Sequence, residues 1–353
     1  MATSVFSGTS TSPLFFLFLI VSCPFLCTLS IYEEETIDKE ALLSFKASIN
    51  GDPLHVLSSW SSSPHSFPCN SSWAGVTCNN NNSTNQNGTR RVISLDLRQS
   101  NLTGTISPYL SNLTFLTYLD LSINGFTGSI PEQLGQLSSL NQLDFSKNLL
   151  SGPIPSLISN CTSLIYLDLS LNNDVVGSIP PSLGRLTALD ILRLHNLPNL
   201  TGTIPPELGN LTNLKYMYLG QNNLTGSIPP ELGKLTKLRE LYLMMNNLGG
   251  VIPPELGRLR SLETLNIFQN HLNGNLPKEI GNLTNLQYLY VQQNEISGEL
   301  PREIGDMRSL EVLQLFHNNF TGEVPIEITK LRNLSLFILR SNGFSGEIPA
   351  ELG

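Results

Sequence analysis

The chain has 353 residues, of which only 14 % are charged, and its net charge is −8. That acidic balance excludes a nucleic-acid footprint, which needs a basic patch. The histidines and cysteines are too scattered for a metal-ligand cluster or a nucleophile–base pair, and no glycine-rich loop is built to cradle phosphate. No catalytic, cofactor or metal site is therefore expected.

In chain order, the first element is the only long apolar run, Leu14 to Cys27, which turns acidic at Glu33, Glu34 and Glu35. It reads as a secretory signal peptide over residues 1–30, cleaved between Cys27 and Tyr32. A retained signal anchor is the alternative, since no Lys or Arg precedes Leu14. The expected location is the secretory pathway and extracellular space, or the plasma membrane if the chain belongs to a longer receptor.

Residues 31–78 read as a cap. The segment from Asp38 to Ile49 places Leu42, Phe45 and Ile49 on one helical face. Cys69 and Cys78 flank Trp73 and, in a secreted context, pair as a disulfide. Cys161 is left over and reads as a small buried hydrophobe. Residues 79–91 are an Asn-rich polar tract with no composition that would order it.

From Val92 a 24-residue unit recurs ten times and breaks off within an eleventh, its beat marked by glycines from Gly104 to Gly346. Two units, ending at Gly177 and Gly202, have 25 residues. Leu119 and Leu121 alternate with Tyr118, Asp120 and Ser122, which predicts a short strand with its leucines inward. Asn124 is expected to bond the backbone of the neighbouring coil, and Pro131 to stop the chain continuing as strand or helix. Leu134 and Leu137 then return to the core. No coil can bury its leucines alone, so the coils must stack.

The segments Leu200-Thr-Gly-Thr-Ile-Pro205 and Leu224-Thr-Gly-Ser-Ile-Pro229 resemble the plant-specific subclass of leucine-rich repeats. Ala41-Leu-Leu-Ser-Phe-Lys46, Leu57-Ser-Ser-Trp60 and Gly75-Val-Thr-Cys78 are similar to the N-terminal cap of plant leucine-rich repeat receptors. The resemblance implies an α/β solenoid, a right-handed leucine-rich-repeat superhelix with a parallel concave β-sheet, a second short sheet and an N-terminal helical cap. Residues 92–353 hold the repeats and reach no C-terminal cap.

Sequons stand at Asn70, Asn81, Asn82, Asn87, Asn101, Asn112, Asn160, Asn199, Asn210, Asn223, Asn282, Asn319 and Asn333, all candidates for N-linked glycans. None falls on a concave strand position. There, Asp96, Asp120, Asp144 and Asp168 stand in one row on strands about 4.8 Å apart. They read either as an acidic strip for a basic partner or cation, or as a solvated and inert ladder. Farther on, Tyr216, Tyr218, Tyr242, Met244, Phe268, Tyr288, Tyr290 and Phe316 project from the same face and form the candidate recognition surface. Arg193 could hold an acidic group.

The resemblance implies the extracellular recognition region of a plant receptor-like kinase or receptor-like protein, in defence or developmental signalling. A peptide or protein ligand and a leucine-rich-repeat co-receptor are the implied partners, with transmembrane and kinase parts lying beyond this chain. The alternative is a secreted protein similar to polygalacturonase inhibitors, blocking a microbial wall-degrading enzyme. An ice-binding solenoid would require a regular Thr or Asn ladder on a flat exposed face.

Overall fold

The computed structural model describes residues 23–79, 90–347 and 349–350. Residues 1–22 of the expected leader, the sequons at Asn81, Asn82 and Asn87, and most of the Asn-rich tract lie outside them, whereas residues 23–30 belong to a helix that runs on into the cap.

Each coil gives one short strand to a 12-stranded concave sheet whose strand order is the chain order. The strands run parallel, Leu119 beside Leu143 and Leu143 beside Leu167, because every connection climbs one coil and returns on the same side. Only Val76–Cys78, donated by the cap, pairs antiparallel, against Val92–Asp96. Two further sheets line the adjoining flank. One has six strands, from Ile49–Gly51 to Leu200–Thr201, and one has five, from Gly249–Val251 to Gly343–Ser345.

The inward leucines are fully buried in the inner coils, including Leu119, Leu121, Leu134 and Leu137, and partly buried at Leu334 and Leu339 in the last one, so the core is a ribbon running along the stack. The asparagine ladder stitches the coils together. The Asn148 amide donates to Leu121 O and Phe145 O at 3.0 and 3.1 Å, and its Oδ1 accepts from Phe126 N–H at 3.0 Å. One buried carboxamide thereby satisfies backbone groups that have no strand partner. Leu197 interrupts the ladder in a 25-residue unit, yet its N–H is still taken by Asn222 Oδ1 at 2.8 Å.

Two local expectations are corrected. Pro131 does not exclude helix; it caps the 3₁₀ turn Glu132–Gln136, and the same arrangement recurs at Pro205, Pro229 and Pro253. A proline's fixed φ suits a helix start, where its missing N–H has no partner to lose. Ile49 is not on the cap helix either. The helix spans Cys23–Ala47, and Ser48 N–H bonds back to Phe45 O. Ile49 then pairs antiparallel with Gly104.

The cap closes the first coil with aromatic rings. Trp60 stacks on Trp73 at 5.5 Å, and Phe45 reaches Phe126 at 5.9 Å, carrying cap contacts into the repeats. Asp38 accepts from buried Arg91 at 2.8 and 3.0 Å and from Val92 N–H at 2.9 Å. Cys69 and Cys78 are bonded to one another, and Cys161 is a buried free thiol whose pKa burial pushes up to about 11. Among the described residues no helix is long and apolar enough to cross a membrane.

Candidate functional site

Three of the four aspartates form neither an open acidic strip nor a solvated ladder; the fourth, Asp96, is half-buried and lies 3.3 Å from Arg98. Asp120 and Asp168 are 3 and 4 % exposed. Each uses Oδ1 to accept the N–H and hydroxyl of the serine two residues on, Ser122 at 2.9 and 2.6 Å and Ser170 at 2.9 and 2.6 Å. Asp144 does the same with Ser146. Their Oδ2 atoms face tyrosines: Tyr118 donates to Asp120 at 3.1 Å, and Tyr166 to Asp168 at 3.1 Å and Asp144 at 3.4 Å. Burial is the main cause that raises the Asp144 pKa, and burial followed by Asp120 pushes the Tyr118 phenol up to about 12. These serine and tyrosine donors satisfy the carboxylate oxygens without removing their charge.

Beyond Asp168 the row changes. Arg193 replaces the aspartate, and its guanidinium lies between two rings, 5.6 Å from Tyr166 and 5.2 Å from Tyr218. One terminal nitrogen donates to Tyr166 Oη at 3.1 Å and lies 3.7 Å from Asp168. Arg193 lines a groove of about 750 Å³ together with Lys147, Tyr166, His195, Tyr218, Tyr242 and Met244, among others. Tyr218 donates to Glu240 at 2.7 Å and packs on Tyr242 at 5.1 Å. Gly220 leaves the space that Met244 fills, since a Cβ there would collide with Met244 Sδ. His195 sits edge-on to Tyr218 at 6.3 Å, its Nδ1 buried without a partner, and burial lowers its pKa.

Residues 77–228 and 222–348 match the leucine-rich repeat region family, and residues 37–79 match the leucine rich repeat N-terminal domain. The chain belongs to the leucine-rich repeat family. A probable LRR receptor-like serine/threonine-protein kinase of Arabidopsis thaliana is 42 % identical over 105 residues, which is 30 % of this chain and 9 % of that kinase. Among solved structures, the Arabidopsis receptor kinase HAESA in complex with the peptide hormone IDA and the co-receptor SERK1 is 34 % identical, with a TM-score of 0.67. That likeness covers 88 % of this chain and 55 % of the HAESA chain. A plant ice-binding protein is 29 % identical with a TM-score of 0.69, covering 88 % of this chain and 96 % of its own.

In this leucine-rich repeat protein, four of the nine residues singled out from sequence meet in the groove: Arg193, Tyr218, Tyr242 and Met244. Tyr216 stacks on Tyr218 at 6.4 Å but borders a separate charged hollow, where Lys215 pairs with Asp190 at 2.8 Å and Arg239 with Glu263 at 2.6 Å. Phe268, Tyr288, Tyr290 and Phe316 stand farther along the sheet, outside the groove. Asn266 lies in register between Tyr242 and Tyr290 and is 8 % exposed. Arg340 lies 5.2 Å above the Phe316 ring.

Sequence reasoning missed Tyr166, His195 and Lys147. A signal existed for the first, since a tyrosine two residues before an aspartate occurs both at Tyr118 and at Tyr166. The sequon asparagines within the described residues are all exposed, and none is on a concave strand.

Proposed function

We propose that this chain is the extracellular recognition region of a plant receptor-like kinase or receptor-like protein, and that it seats a peptide bearing an acidic group over Arg193. The observation that carries the reading is the guanidinium held between Tyr166 and Tyr218 on the wall of the groove, with donors beyond the one given to Tyr166. A planar fork fixed by stacking loses little freedom on taking a carboxylate in two-point contact. The likeness to HAESA, bound to a peptide hormone and a co-receptor, supports a peptide ligand and a co-receptor partner here. Secretion, sugars on the exposed sequons, and membrane and kinase parts in a longer protein belong to the same proposal.

The test is binding of a peptide from a displayed random library to the secreted chain. Arg193→Ala should weaken it by about a hundredfold, the loss of one charge-assisted two-point contact. A peptide held equally well by the variant refutes this placement.

One observation favours a second reading. The six-stranded flank sheet carries exposed Thr103, Thr105, Thr127, Ser129 and Thr201, and Thr203 bridges Thr225 beyond it, a row of hydroxyls interrupted by exposed Leu149 and Val176. With the likeness to a plant ice-binding protein, that row makes ice the alternative ligand. Side chains two apart on a strand share a face, so sugars on Asn101, Asn199 and Asn223 would lie beside it. Thermal hysteresis of the glycosylated chain decides: a hysteresis gap supports ice binding, and its absence removes that reading.

A further inference from the structure

We infer that Ile123 and Leu171 form an apolar lip on the groove and select a peptide with apolar side chains at set distances from its acidic group. This rests on the groove being a peptide site. Every coil leaves its concave strand through a residue with left-handed backbone, from Gln99 to Ser341, with φ between 52° and 60°. Since the fold asks this of each coil, the cheapest solutions are Asn, Gln, Lys or Ser, and those recur at Gln99, Lys147, Asn196, Gln221, Gln269, Gln293 and Ser341. Ile123 is β-branched, so its methyl groups crowd the backbone at φ 56°. Burial does not compensate, because the side chain is 43 % exposed. Leu171, half-buried and without a branched Cβ, takes the same backbone place two coils on at φ 60°.

Both side chains line the groove, with Lys147 between them at the same place in its coil. Lys147 is exposed and has no ion pair among the described residues. The carboxylates that share the groove are already engaged, Asp120, Asp144 and Asp168 by serines and Glu240 by Tyr218. The basic side chains lining the groove are Arg98, Lys147 and Arg193; Arg98 lies 3.3 Å from Asp96 and Arg193 3.7 Å from Asp168, which leaves Lys147 and the further guanidinium donors of Arg193 beside the apolar lip. Their complement is an acidic side chain or carboxylate flanked by apolar residues. Leu171 is one coil from Arg193, about 5 Å, and Ile123 three coils, about 14 Å. An extended peptide advances about 3.3 Å per residue, which places its apolar side chains about one to two and about four positions from the acidic group.

The experiment uses phage-displayed random dodecapeptides selected on the secreted full chain, followed by binding of one selected peptide to Ile123→Asn, Leu171→Asn and Arg193→Ala. The expected result is enrichment of an acidic residue with apolar residues at those spacings. Each lip variant should bind the peptide about tenfold more weakly, while Ile123→Asn melts about 2 °C higher because strain is removed. If Arg193→Ala abolishes binding and both lip variants bind unchanged, the lip has no role and only the groove reading survives. A lower melting temperature for Ile123→Asn overturns the strain argument. A library giving no peptide sensitive to Arg193→Ala overturns the groove reading beneath both.

Discussion

The concave strands from Tyr118 to Ser170 and those from Ile191 to Met244 share one backbone and one register, and differ in what their side chains leave undone. In the first region each aspartate is closed by a serine two residues on and a tyrosine beside it. In the second, an arginine, a histidine and a glycine take the places of aspartate and serine, and the polar groups no longer saturate one another. The groove crosses both regions, with Ile123, Lys147 and Leu171 supplied by coils of the first and Arg193, Tyr218 and Met244 by the second, so the difference lies in which polar groups are still open within it. A solenoid can thus place a site on any coil without altering its fold.

The sharpest challenge to that contrast compares Asp168→Ala with Arg193→Ala. Removing the buried carboxylate orphans Ser170 N–H, its hydroxyl and the Tyr166 phenol, so about 3 kcal/mol should be lost in urea unfolding. Removing half-exposed Arg193 should cost under about 1 kcal/mol. Equal losses would mean that the two regions do not differ in internal closure. An intermediate effect is expected at Gly220→Ala, whose methyl group must displace Met244, at about 1–2 kcal/mol. Adding Met244→Ala should recover about half of that, and a double-mutant cycle without coupling would refute the contact.

The smallest effect concerns pH. Burial holds the His195 pKa below its ordinary value, so the neutral ring stabilises the fold above the unfolded-state imidazole pKa of about 6.5. That contribution is lost as pH falls through the folded-state value. His195→Gln should flatten the dependence of stability between the imidazole and carboxylate ranges by roughly a few tenths of a kcal/mol, given the ring's partial exposure. An unchanged slope would place the titration elsewhere. Asp144 has the opposite sign. Its raised pKa favours the fold at low pH, an effect lost as pH rises through its own range, so Asp144→Asn should steepen the acid limb.

Periodicity made the fold legible because it repeats one local solution: an inward leucine pair, a buried asparagine, a glycine at positive φ. Helical spacing places Ile49 on the cap helix because its strand partner Gly104 is remote in sequence, and Pro131 reads as a stop although the same ring geometry can open a helical turn. The aspartate row misled for a related reason. Spacing puts the four side chains in line, but three are held by serine hydroxyls two residues on and Asp96 has Arg98 there instead. The groove was half visible through Arg193 and the tyrosines. Tyr166 and His195 join it only by leaning across neighbouring strands, and lateral reach is a property of side-chain packing.

The asparagine ladder also has a mechanical meaning. Each carboxamide ties its own coil to the one before, so a force peeling the stack from one end loads a single amide at a time. Extension should then proceed in steps, each releasing one 24-residue coil, about 80 Å of chain. Leu197, where the amide is missing, is the place such a staircase should skip a tread, and an optical-tweezers trace with uniform steps through that coil would show that the ladder does not set the resistance.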